Sequence, residues 1–228
     1  MRIGIIGAMG EEISYILSVM KEINKRSLGR YLFYEGIIHG HNLVVVQGGI
    51  GKVASGIVYS TLLHHYPDLD LTINIGVCGG VAGKGQIGDV IVPRFLAYAD
   101  VDLRVFPEFS YGQMANCPAV FKTSYQYLEK LCLPFNTQGT ILSGDLFFSN
   151  GDKINNIIKL FPKHDILGFD MESTPLAQAA YLFQKDFIVI RAISDIIGGR
   201  KQTDDYKGNL EQAALNAKMF LLELLKVI

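Results

Sequence analysis

Residues 187–195 read Phe-Ile-Val-Ile-Arg-Ala-Ile-Ser-Asp, and the apolar side chains of the first seven fall on both parities of an extended chain. A strand of this kind has no polar face, so it is covered on both sides, as in parallel sheets under helices. Leu43–Gln47 (LVVVQ) has the same character. Outward from these two, the clearest further strands are Arg2–Ile6, Leu71–Ile75, Asp89–Val92, Gly139–Ser143 and Ile166–Phe169, with the central one taken as Phe187–Ile193. Helices are expected over Glu11–Ile23, Lys52–His65, Phe121–Leu131, Gly151–Leu160, Ser173–Gln184 and Leu210–Lys226. The last carries Leu210, Ala213, Ala214, Ala217, Leu221, Leu224 and Leu225 at helical spacing, so one face packs on a core. Strands alternating with helices imply an α/β domain with a largely parallel sheet. No repeat or linker interrupts the chain, so we expect one domain over 1–228. Tyr98–Phe121, rich in aromatics and carrying Pro107 and Pro118, reads as a long functional loop.

The chain has 228 residues, 49% hydrophobic and 19% charged, enough to bury a core without disulfides or metal staples. Its 21 Lys+Arg against 22 Asp+Glu offer no cationic footprint for nucleic acid. No apolar stretch reaches the roughly 18–20 residues that span a bilayer, so no membrane partner is expected. The opening MRIGIIGAMGEE meets acidic residues before a secretory apolar region is complete, which predicts a mature N-terminus and a cytoplasmic protein. Cys78, Cys117 and Cys132 are widely spread with no CxxC pair, which speaks against a disulfide framework. His39 and His41 flank Gly40, and His64 adjoins His65; neither is a metal-binding spacing, so no metal is expected.

Parallel α/β sheets bind ligands beyond the carboxyl ends of their strands. The segments just beyond the expected strands are Gly7–Glu12, Gly48–Gly51, Gly76–Gly80, Gly144–Phe148, Asp170–Glu172 and Ser194–Asp195. They gather glycines that admit close backbone approach, apolar or aromatic walls, and carboxylates. The rim lacks a GxSxG elbow, and Gly83-Lys84 is followed by Gly85 rather than the Ser or Thr of a Walker loop. Gly49–Ala54 fits the G-x-G-x-x-A dinucleotide pattern. However, the next strand ends in Asn74-Ile75-Gly76, without the acid that binds ribose.

The segments Ile3–Glu12 (IGIIGAMGEE), Gly48–Ser55 (GGIGKVAS), Asn74–Gly83 (NIGVCGGVAG), Gly88–Pro93 (GDVIVP), Tyr111–Pro118 (YGQMANCP), Ser143–Phe148 (SGDLFF), Phe169–Ser173 (FDMES) and Val189–Asp195 (VIRAISD) stand in a telling order. In that order the chain resembles the 5'-methylthioadenosine/S-adenosylhomocysteine nucleosidases of the purine nucleoside phosphorylase-like superfamily. The resemblance implies a three-layer α/β/α fold with a central, twisted, mostly parallel (mixed) sheet. It implies hydrolysis of the adenine N-glycosidic bond of methylthioadenosine and adenosylhomocysteine, without a cofactor, by a homodimer. Asp195 resembles the acid that protonates purine N7, with Ser194 beside it. Glu12 resembles the group that polarises the attacking water, with Arg191 nearby. Glu172 resembles the carboxylate that holds the ribose hydroxyls, helped by the Met171 backbone. Phe147 matches the ring stacked on adenine, and the Phe148 backbone matches the reader of the purine edge. Met9, Ile50 and Tyr206 match walls around the sugar and alkylthio group, and the Cys78-Gly79 backbone matches the cradle of ribose and base. Leu103 and Phe106 match positions that the partner subunit adds.

Each acid also has a purely structural reading. Glu12 sits where acidic residues favour a helix's first turn, and Asp195 and Glu172 where they cap one. Arg191 could serve a buried ion pair. The chain departs from the family pattern at Gly10, Val77, Cys78, Asp170 and Ala115. Two other functions stay open at this level: a phosphorylase, disfavoured because Glu11 and Glu12 repel phosphate, and a nucleoside-binding protein without turnover.

Overall fold

The computed structural model describes residues 1–131 and 139–228; Cys132 lies outside them. The doubly apolar run at 187–195 is the middle of the sheet. β11 (Phe187–Ile196) lies parallel to β5 (Leu71–Gly80), with Phe187 opposite Thr72 and Ile196 opposite Gly80. β1 (Arg2–Gly7) lies parallel to both β5 and β4 (His41–Gln47). The two parities of these strands serve two cores. Ile3, Ile5, Leu43, Val45, Ile188 and Ile190 pack under α1 (Gly10–Leu17) and α5 (Gln202–Leu224), through Ile13, Ile16, Ala217 and Leu221. Ile6, Val44, Val46 and Val189 pack under α2 (Lys52–His65) and α4 (Ser173–Phe183), through Val58, Leu62, Leu176 and Ala180. Each such side chain, fully buried, stabilises the fold by about 1.5–3 kcal/mol before conformational entropy is subtracted.

Around this centre the sheet is mixed. β2 (Lys21–Leu28) and β3 (Tyr31–Ile38) form an antiparallel hairpin on the β4 edge. On the other side β10 (Ile166–Asp170), β9 (Thr140–Ser143), β7 (Phe95–Tyr98) and β8 (Phe121–Lys122) follow β5, and β6 (Val90–Ile91) pairs with β11. α3 (Gly151–Ile158) packs with Phe148 and Phe169 in a third, smaller core.

A gap in the strand pairing makes the site. β5 pairs with β1 only over Leu71–Asn74, then with antiparallel β10 at Gly79 and Gly80. Between those ladders, residues 75–78 have no strand neighbour on that side among the described residues. The opening lies just past the carboxyl end of β1.

Several expected elements differ. The helix expected over Phe121–Leu131 is β8 followed by a single 3-10 turn at Tyr125–Leu128. Thr123 Oγ1 donates to the Pro93 carbonyl at 2.9 Å and Ser124 Oγ donates to Asp186 at 2.8 Å. Hydroxyls tied to distant groups in this way compete with helix formation. The first helix ends at Leu17 rather than Ile23, because the chain turns and enters β2. The last helix begins at Gln202 rather than Leu210; its first turns are polar and carry no apolar stripe. Ser194, Asp195, Cys78 and Gly79, expected beyond strand ends, lie within β11 and β5.

Candidate active site

Glu12, the third residue of α1, turns its carboxylate back toward β1 and across the opening beside β5. Oε2 accepts the Ala8 and Met9 N–H groups at 2.6 and 3.1 Å, and Oε1 accepts the Val77 N–H at 3.2 Å. The acid therefore ties down the N-cap Met9 and the residue before it, the structural part of its placement at the helix start. It also bridges to a second strand. Burial drives its pKa up, against the pull of Arg191 and the three backbone donors. The backbone of β5 passes so close that only glycine fits. A Cβ on Gly76 would overlap Glu12 Oε1 and sit 2.8 Å from Arg191 Nη1.

Arg191 stands on β11 with 1% of its surface exposed. Its Nε donates to Asp170 Oδ2 at 2.9 Å and its Nη2 donates to Asn74 Oδ1 at 2.5 Å, while Glu172 Oε2 lies 3.9 Å from Nη2. The buried ion pair foreseen for Arg191 exists, with Asp170 as partner. Nη1 has no hydrogen-bond partner among the described residues, and it faces Gly76 beside Glu12. Asp170 is held in turn by the hydroxyls of Ser143 and Ser173.

Glu172 occupies the N-cap of α4 but makes no cap hydrogen bond. Its Oε1 instead accepts the Gly51 N–H, at 3.0 Å, from the N-terminus of α2. Gly51 has φ +92°, and a Cβ there would lie 2.8 Å from Asp145 Oδ1, so the turn that presents this N–H needs glycine. Burial, and after it the charge of Asp170, push Glu172 up to about 7, against the pull of Arg191.

Asp195 caps no helix. Ser194 Oγ lies 2.6 Å from its Oδ1 and 3.2 Å from the Cys78 carbonyl, so the hydroxyl has two acceptors in reach. Gln202 Nε2 donates to Oδ2 at 2.7 Å. Burial raises the Asp195 pKa while those two donors lower it. Beyond Asp195, Phe148 stacks at a tilt on Phe169 with ring centroids 4.6 Å apart. Phe147, 49% exposed, meets Tyr206 edge-on at 5.6 Å.

These groups share one pocket. Of the residues expected from sequence, Met9, Glu12, Ile50, Cys78, Gly79, Phe147, Phe148, Met171, Glu172, Ser194, Asp195 and Tyr206 line it. Arg191 lies behind the lining. Leu103, half-buried, and Phe106, 55% exposed, sit on the long loop and form no part of it. Ala8, Val77, Leu146, Phe169, Asp170 and Gln202 also line it. Of these, Ala8, Val77, Leu146, Phe169 and Asp170 lie in the segments quoted from the sequence, and Gln202 lies in none of them. Three carboxylates, Glu12, Asp170 and Glu172, surround the Arg191 guanidinium, and a fourth, Asp195, lines the same pocket. Such a site repels phosphate and stabilises a cation forming within it. Among the described residues, no group of His, Cys, Asp and Glu is arranged to hold a metal ion.

The phosphorylase superfamily profile matches residues 2–226. A 5'-methylthioadenosine/S-adenosylhomocysteine nucleosidase of Staphylococcus aureus (strain MRSA252) is 33% identical over 221 residues, 94% of this chain and 95% of the relative. The enzyme of the same name from Oceanobacillus iheyensis is 32% identical, with both chains fully covered. The solved S. pneumoniae nucleosidase of that name, in complex with the transition-state inhibitor MT-ImmA, superposes with a TM-score of 0.92 at 33% identity. That match covers 100% of this chain and 99% of the other.

Proposed function

The chain belongs to the phosphorylase superfamily and, within it, to the 5'-methylthioadenosine/S-adenosylhomocysteine nucleosidases, and from that membership we propose how its residues divide the hydrolysis of an adenine N-glycosidic bond. Methylthioadenosine or adenosylhomocysteine, with water, gives adenine and the thioribose sugar. Cleavage loads positive charge onto the ribose and negative charge onto the departing base. Asp195 delivers a proton to purine N7; burial, which raises its pKa, suits it to carry one. Glu12 takes a proton from the attacking water. Arg191, buried beside Glu12, favours the ionised carboxylate that accepts this proton. Glu172 accepts from the ribose hydroxyls, and Met171 contributes its backbone. Phe147 stacks on the adenine and the Phe148 backbone reads its edge. Met9, Ile50 and Tyr206 wall the sugar and thio group, and Cys78-Gly79 runs beneath ribose and base.

We take residues 1–228 as one domain that works as a homodimer, with Leu103 and Phe106 of one copy completing the thio end of the other's pocket. Val105, 83% exposed, and Phe106 leave an apolar surface in water that a second copy would cover. The free thiols of Cys78 and Cys117 support a cytoplasmic setting.

The observation that carries this reading is the convergence of residues 12, 172 and 195 on one pocket. Adenine release from methylthioadenosine in phosphate-free buffer tests it. We expect full turnover without phosphate and a loss of roughly 10²–10⁴-fold in Asp195→Asn. A strict phosphate requirement would refute the hydrolase, and undiminished turnover in Asp195→Asn would refute the role given to the acid.

A further inference from the structure

Gln202 belongs to no motif recognised in the sequence, yet it is 5% exposed and lines the pocket at the first turn of α5. Its side-chain amide makes three hydrogen bonds to two separate segments, one around Phe148 and one over Asp195–Gly198. Oε1 accepts the Gly198 N–H at 3.0 Å. Nε2 donates one hydrogen to the Phe148 carbonyl at 2.8 Å and the other to Asp195 Oδ2 at 2.7 Å. The partners fix the orientation of the amide. A backbone N–H can only donate and a backbone carbonyl can only accept, so a flipped amide would set donor against donor and acceptor against acceptor. Both hydrogens of Nε2 are used, and neither is shared with solvent.

We infer that Gln202 is a positioning residue for this reaction, fixing the Asp195 carboxyl against the Phe148 carbonyl so that proton delivery and recognition of the purine edge occur in one frame. The inference rests on the nucleosidase reading and adds a residue to it. Asp195 lies near the end of β11 and Phe148 in the connection from β9 to α3, two segments that share no ladder. Among the described residues, no other side chain bonds both Asp195 Oδ2 and the Phe148 backbone. A neutral donor is also the right kind of tie. It does not titrate with the acid it holds, and it favours the carboxylate left after the proton has gone.

The other groups around Asp195 are the Ser194 hydroxyl from its own strand, the Cys78 thiol from β5, and Asp205 and Tyr206 from α5. Against that background the sign of the change is defined. Removing the Gln202 donor disfavours ionised Asp195, so the acid keeps its proton to higher pH. The alkaline limb of the kcat/KM profile then moves up.

The test is phosphate-free adenine release from methylthioadenosine across pH by wild type, Gln202→Ala and Gln202→Glu. We expect kcat to fall roughly tenfold in Gln202→Ala, with a smaller change in KM, because a buried hydrogen bond to a charged group is lost. The alkaline limb should move up in Gln202→Ala and further in Gln202→Glu, which sets a second carboxylate beside the first. A purely structural residue would lower the melting temperature and leave that limb where it is. The same bond is readable in the wild type, where the Gln202 side-chain amide resonance should titrate with the alkaline limb. An unmoved limb in the folded variants overturns the inference; should neither variant fold, a wild-type amide signal indifferent to pH overturns it. An active wild type with unmoved variants defeats this assignment alone. A wild type that releases no adenine at any pH defeats the nucleosidase reading and this inference with it.

Discussion

Glu172 stands at the mouth of its own helix and reaches 121 residues back along the chain for its hydrogen bond to Gly51. Its acidity follows from that seat. The folded protein keeps a proton on Glu172 up to about pH 7, whereas the unfolded chain releases it near the ordinary 4.5. Because the folded value is raised, the stabilisation is complete below 4.5 and is lost as pH climbs to 7. Glu172→Gln, which cannot ionise, should gain on the wild type across that interval by at most about 3 kcal/mol. Paired thermal melts read the effect, and parallel melting curves would contradict it. The three acids were legible in the sequence because each sits in a short, distinctive segment. Gln202 was not, since a lone amide in an unremarkable setting gives no signal until the chain brings its partner to it.

Among the elements, β5 is the most consequential. Its Gly76 passes under Glu12 and Arg191 with no room for a methyl group. Gly76→Ala should therefore displace the Glu12 carboxylate and cut kcat by roughly tenfold or more, with a smaller loss of melting temperature. Activity and melting measured on the same preparation distinguish this from general destabilisation. β5 and β11 were readable because their apolar runs allow little else. The β2–β3 hairpin was not, because Lys21–Leu28 is almost wholly exposed and carries no apolar alternation. β7 and β8 are too short to have a period, and the residues after Phe121 looked helical only while their tertiary partners were unknown.

For the whole molecule, the layering followed from the doubly covered strands, but the mixed order of the sheet did not. Nothing local marks β10 as antiparallel to β5, since strand direction is decided by the long connections. The proposed dimer belongs to this scale. Phe106→Glu places a charge on the exposed loop and should shift the protein toward monomer while raising KM for methylthioadenosine several-fold. Sedimentation and kinetics together check it, and a dimer of unaltered KM would remove Phe106 from the partner's pocket. The seam where β5 exchanges one neighbour for another has a last consequence. Among the described residues, the Val77 amide proton is claimed by no ladder and is held only by the Glu12 carboxylate. Its rate of trade with deuterated solvent should quicken once Glu12 takes up a proton, so the peptide backbone itself carries a gauge of the charge on that side chain, readable with no substrate present.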